Sequence, residues 1–149
     1  MSKDSGLFIP SILFEDNHLL VVNKPAGMLT QSDRSGRDSL LEWCRRYIRE
    51  SRRKPGNVFV GMVQRLDRPV PGVIVFARTS KAASRLSEQI RGGKMEKIYR
   101  AVVEGCLTDE GRLDHYLVRR GTLTVTGKDG ETGARTASLR YRILGNAPG

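Results

Sequence analysis

Residues 63–72, Val63-Gln64-Arg65-Leu66-Asp67-Arg68-Pro69-Val70-Pro71-Gly72, place one carboxylate between two arginines in a segment stiffened by two prolines. A nearby opposite charge favours the ionised form of a carboxylate, so Arg65 and Arg68 are expected to hold Asp67 as an anion. An ionised carboxylate on a restricted backbone can serve as nucleophile or base. The same residues also suit a surface loop with an Asp–Arg ion pair, an interaction that is common and weak. From this pattern alone both readings stand.

Such a loop needs elements to hold it. Val58-Phe59-Val60-Gly61-Met62-Val63 and Val73-Ile74-Val75-Phe76-Ala77 are short, apolar and rich in β-branched residues, and read as buried strands on either side of it. Upstream, Ile12-Leu13-Phe14 and Leu19-Leu20-Val21-Val22-Asn23 flank the turn residues Glu15-Asp16-Asn17 and read as a hairpin. Lys24-Pro25-Ala26-Gly27 ends its second strand. Ser39-Leu40-Leu41-Glu42 is a capping-box pattern, after which Leu40, Cys44, Tyr47 and Ile48 recur at helical spacing. The other face and the exit of this helix carry Arg45, Arg46, Arg49, Arg52, Arg53 and Lys54, a like-charge density that solvation or phosphate contacts must relieve. A second helix is capped by Thr79 or Ser80, carries Ala83, Leu86 and Ile90 on one side, and ends at Gly92-Gly93. Further strands are expected at Lys97–Glu104, at Leu117-Val118, at Leu123–Val125 and from Ala137 to Leu144, with Lys128-Asp129-Gly130 as a turn. Two helices among so many strands give an α+β fold with a mainly antiparallel sheet.

A chain of 149 residues fits one compact domain. Lysine and arginine total 26 against 16 acidic residues, a net charge of +10 that points to a polyanionic partner, nucleic acid first and an anionic membrane surface second. No apolar run approaches the roughly 20 residues that span a bilayer. The start, Met1-Ser2-Lys3-Asp4-Ser5-Gly6, lacks the pattern of a secretory signal, which leads to an expected cytoplasmic location. Cys44 and Cys106 are isolated, and with His18 and His115 they give no zinc spacing or disulfide framework. Both are expected to be packed thiols, and no metal site is expected.

Three segments lie in order: Val21-Val22-Asn23-Lys24-Pro25-Ala26-Gly27-Met28-Leu29, then Arg65-Leu66-Asp67 with Gly72, then Lys97-Ile98-Tyr99-Arg100-Ala101-Val102-Val103-Glu104-Gly105. Together they resemble the RNA pseudouridine synthases, specifically the RluA-type branch, over nearly the whole chain. The resemblance implies isomerisation of a uridine in ribosomal or transfer RNA, without cofactor or metal, the base being cut from its sugar and rejoined through carbon. It places the catalytic aspartate on Asp67 and the active-site tyrosine on Tyr99, whose ring could stack on the target base while its phenol assists a proton transfer. An ordinary half-buried strand residue is the alternative for Tyr99. Arg65 matches the arginine that holds the target nucleotide out of the helix. Lys24, Arg45, Arg49, Arg68 and Lys97 are expected to contact RNA, although Lys24-Pro25-Ala26-Gly27 also reads as a structural turn and Lys97 as a solvated side chain.

The chain departs from the family pattern in three places. Gln64 stands where histidine is usual, and glutamine cannot become charged. Pro71 stands where a small hydroxyl residue is usual. A Gly-Arg-x-His-Gln-x-Arg-like segment expected beyond the strand ending at Leu144 has no match, so residues 1–149 read as a single catalytic domain incomplete at its C-terminal end, without a preceding RNA-binding module. A catalytically silent RNA-binding domain of the same fold is the alternative to an active enzyme.

Overall fold

The computed structural model describes residues 9–33, 38–53, 56–105, 107 and 110–145. Its contacts group into two compact units, Met1–Ile98 and Tyr99–Gly149, each with its own antiparallel sheet, where the sequence reading treats the chain as one domain.

In the first unit, β1 (Ser11–Glu15) and β2 (Leu19–Lys24) form the expected hairpin. The Asp16 carboxylate closes its turn, accepting from the backbone N–H groups of His18 at 2.7 Å and Leu19 at 2.6 Å. β4 (Gly72–Ala77) pairs with β2, and β3 (Gly61–Met62) pairs with β4, giving the order β1-β2-β4-β3. Because strand side chains alternate, Leu20 and Val22 share a face with their partners Phe76 and Ile74, and all four are fully buried. α1 (Leu40–Ser51) supplies Leu40, Leu41, Cys44 and Ile48 to the same cluster. Its capping box is partly realised, the Ser39 hydroxyl accepting from Glu42 N–H. Burial among these side chains pushes the Cys44 thiol up to about 12, so it behaves as the packed thiol expected. Cys106 lies outside the described residues.

α2 (Ser80–Arg91) is capped by Thr79, whose hydroxyl accepts from Ala82 N–H at 3.2 Å, and it ends at Gly92. A charged hub ties these elements together. The Glu15 carboxylate accepts from the Tyr47 hydroxyl at 2.8 Å, from Arg52 at 3.0 Å and from Arg78 at 2.8 Å. Burial alone would raise its pKa, but the hydrogen bonds from Tyr47 and Arg52 and the charges of Arg78 and Arg52 outweigh this and hold it below the usual carboxylate range.

The second unit is a three-stranded sheet, order β6-β5-β7, of β5 (Glu110–Arg120), β6 (Leu123–Gly127) and β7 (Arg135–Arg142). Val118 is its one buried hydrophobic residue among those described. β5 is longer than the Leu117-Val118 strand expected, because its pairing with β7 runs from Glu110 to Leu117 through residues of mixed polarity. No helix of the described residues is long and apolar enough to cross a membrane.

Two strand expectations are corrected. Of residues 58–63, only Gly61 and Met62 enter the ladder, opposite Ala77 and Phe76, although Val60 is still buried in the core. Residues Lys97–Glu104 form no strand. Their β-branched composition favours one, but propensity is realised only against a partner, and no described strand pairs with them. Ile98 is left 82% and Val102 92% exposed.

Candidate active site

The loop between β3 and β4 is irregular and turns at Arg68-Pro69, where Val70 N–H donates to the Asp67 carbonyl at 3.0 Å. Asp67, Arg65 and Arg68 are all exposed. The expected ion pairs are absent: among the described residues no salt bridge joins Asp67 to either arginine. Arg68 points elsewhere, its Nε donating to the Gly27 carbonyl at 3.0 Å, while Gly27 N–H donates to the Arg68 carbonyl at 2.9 Å. This reciprocal pair joins residues 24–30 to the loop. Gly27 turns at φ 81°, a conformation that favours glycine.

A third cation, Lys24, is attracted to Asp67. Leu20, Val22 and Lys24 occupy alternate positions on β2, so Lys24 continues the buried row and is wholly inaccessible. Its ammonium donates to the carbonyls of Met28 at 2.8 Å, Pro25 at 3.2 Å and Arg68 at 3.2 Å. Burial lowers its pKa and attraction to Asp67 opposes the shift. Its donors are met by the protein's own backbone, which accords with the structural-turn alternative for residues 24–27. The missed signal was the period-two row itself.

On the other side of Asp67, the Thr30 hydroxyl donates to the Leu66 carbonyl at 2.6 Å and accepts from Leu66 N–H at 3.2 Å. Thr30 is only 4% exposed. Nothing in the neighbouring residues signals this contact, which spans 36 positions. Gly72 completes the frame. It pairs with Lys24 at φ 145°, and a Cβ there would stand 3.3 Å from Leu66 Cδ1. The peptides before and after Asp67 are thus both fixed, and its carboxylate is left open.

The basic face of α1 is only partly free. Arg45 pairs with Glu42, Arg46 with Asp38 and Arg52 with Glu15, which relieves the like-charge repulsion locally. Arg49 and Lys97 are exposed and form no salt bridge among the described residues. Lys54 lies outside the described residues. Tyr99 opens the second unit with its side chain 65% exposed, so it is not the half-buried strand residue of the alternative reading. Among the described residues no group of three or more His, Cys, Asp or Glu side chains could hold a metal ion.

Residues 18–148 match the family model described as RNA pseudouridylate synthase. The chain is similar to tRNA pseudouridine synthase C of Vibrio vulnificus, with 37% identity over 106 residues, 71% of this chain and 41% of that protein. It is also similar to ribosomal large subunit pseudouridine synthase D of Pseudomonas aeruginosa, with 31% identity over 134 residues, 89% of this chain and 41% of that protein. A solved structure of human RNA pseudouridylate synthase domain containing 4 shares the fold, with a TM-score of 0.65 and 17% identity over 92% of this chain and 54% of that one. The chain therefore spans less than half the length of these two curated relatives.

Proposed function

The chain belongs to the RNA pseudouridylate synthase family, and from that membership we propose that it isomerises a specific uridine of ribosomal or transfer RNA to pseudouridine, with Asp67 as the reacting group. The observation that carries this reading is the disposition of Asp67, an exposed carboxylate that forms no salt bridge among the described residues and whose neighbouring peptides are pinned through the Leu66 and Asp67 carbonyls. A carboxylate engaged by Arg65 or Arg68 would have to break that pair before reacting. This one is available as nucleophile or base, and its fixed backbone supplies orientation in advance.

The reaction breaks the bond between the sugar C1′ and N1 of uracil, joins C1′ to C5, releases the C5 hydrogen as a proton and returns a proton to N1. Atoms and electrons balance within the nucleotide, so the step needs no oxidant or reductant. Arg65 holds the flipped nucleotide, and Tyr99 stacks on the base and assists proton movement. Arg45, Arg49, Lys97 and the remaining nitrogens of Arg68 contact the RNA backbone, which positions the substrate without reading its sequence. The names of the relatives include both transfer and ribosomal RNA enzymes, and both classes of substrate are retained for this chain. A cytoplasmic location belongs to the same proposal.

The test is nucleoside analysis of RNA incubated with the protein, reading for conversion of uridine into an isomer of unchanged mass. Detection of that isomer supports the proposal, and its absence from RNAs that the protein binds overturns it. The alternative is an RNA-binding domain of the same fold without turnover. Both readings require affinity that falls steeply with salt, and only the first yields the isomer.

A further inference from the structure

We propose that Thr30 is a positioning residue for the reaction, setting the direction of the Asp67 carboxylate through the Leu66 peptide. This inference rests on the reading of Asp67 as the reacting group and extends it to a residue outside the three segments that carry the family resemblance.

The N–H groups in the first turn of α1 lack partners within the helix. Leu40 N–H donates to the Leu29 carbonyl at 2.8 Å and Leu41 N–H donates to the Thr30 carbonyl at 3.1 Å, so residues 29–30 are seated on the start of a helix that is itself packed into the core. From that seat the Thr30 hydroxyl makes both bonds to Leu66, donating to its carbonyl at 2.6 Å and accepting from its N–H at 3.2 Å. One side chain thus does what a neighbouring strand would do, satisfying both backbone polar groups of one residue and so tying the peptides on either side of Leu66. The Leu66 side chain packs against the core on one side and stands close to the backbone of Gly72 on another. Leu66 is immobilised at three points, and the next residue is Asp67.

The geometry also explains why the hydroxyl, rather than the bulk, of Thr30 matters. Lys24 and Gly27 fix the Arg68 carbonyl on the far side of Asp67. With Thr30 intact, Asp67 is held on both flanks. Without the hydroxyl the peptide entering Asp67 loses its hydrogen-bonded anchor and only the bonds at the Asp67 and Arg68 carbonyls remain, and a displacement of about 1 Å at a reacting group can cost about 10²-fold in rate.

Thr30→Val keeps shape and removes both hydrogen bonds, whereas Thr30→Ser keeps the hydroxyl. The two variants are compared with the parent in single-turnover and steady-state assays on RNA, and in hydrogen exchange at the Leu66 amide. The expected result is a kcat about 10²-fold lower for Thr30→Val with KM within about twofold of the parent, since the substrate contacts are untouched. Thr30→Ser restores kcat to within about threefold of the parent, and faster Leu66 exchange is seen in the valine variant only. A Thr30→Val protein with parental kcat overturns the inference, as does a Thr30→Ser protein as slow as Thr30→Val. An inactive parent refutes the Asp67 reading itself and this inference with it, whereas an active parent with an unimpaired valine variant refutes the inference alone.

Discussion

Replacing Lys24 with methionine keeps an unbranched side chain in the buried row of β2 and removes the donors that three carbonyls share. The bonds in question run to Met28 at 2.8 Å and to Pro25 and Arg68 at 3.2 Å each. Hydrogen bonds to a charged group contribute roughly 1.5–3 kcal/mol apiece, so three sum to several kcal/mol. Against this stands the cost of burying an ammonium, also several kcal/mol, and the lowered pKa of Lys24 shows that this cost is felt. The difference leaves a net loss of about 3 kcal/mol on substitution. For a unit of this size each kcal/mol moves the melting temperature by about 4–8 °C, so a drop of about 12 °C or more is expected. Both helices belong to the first unit, and circular dichroism at the helix band during thermal unfolding therefore reports on it directly. A midpoint within about 2 °C of the parent would show that the three carbonyls do not depend on Lys24, and the account of how the loop is held would fail.

Two further outcomes follow from the charges. Glu15→Gln weakens the hub that joins β1, α1 and Arg78. Because the folded-state pKa of Glu15 lies below its unfolded value, its contribution is fully present above the ordinary glutamate range and is lost as pH falls through the folded value. Urea titrations should therefore show parent and variant apart at neutral pH and converging in acid, and a gap that stays constant would contradict the assignment. Arg49→Ala should weaken binding to unrelated RNAs about equally and reduce the salt slope by somewhat less than one unit, measured by fluorescence anisotropy across salt concentrations. A slope that does not change would remove Arg49 from the interface.

Much of the first unit could be read from residue types because its signals are local. Asp16 announces the hairpin turn, Ser39 and Glu42 the start of α1, and Thr79 and Gly92 the limits of α2, each through a bond made within a few positions. Lys97–Glu104 shows the limit of that reasoning, since a strand exists only where another pairs with it, and composition does not report the partner. The site followed the same division. Arg65-Leu66-Asp67 is recognisable as a segment, but adjacency in sequence suggests ion pairs that the described residues do not form. The true supports of the loop, Lys24 and Thr30, act across 44 and 36 positions. Lys24 could have been placed by extending the alternation of Leu20 and Val22 by two residues. Thr30 could not, because nothing in its neighbours forecasts which peptide its hydroxyl meets.

The central claim is that the Asp67 carboxylate performs the isomerisation. RNA carrying tritium at C5 of its uridines gives the most direct measurement, because joining the sugar to that carbon must expel the label into water. The account predicts release by the parent and background release by Asp67→Asn at equal folded fraction and equal RNA binding. Release by Asp67→Asn at the parental rate would contradict it.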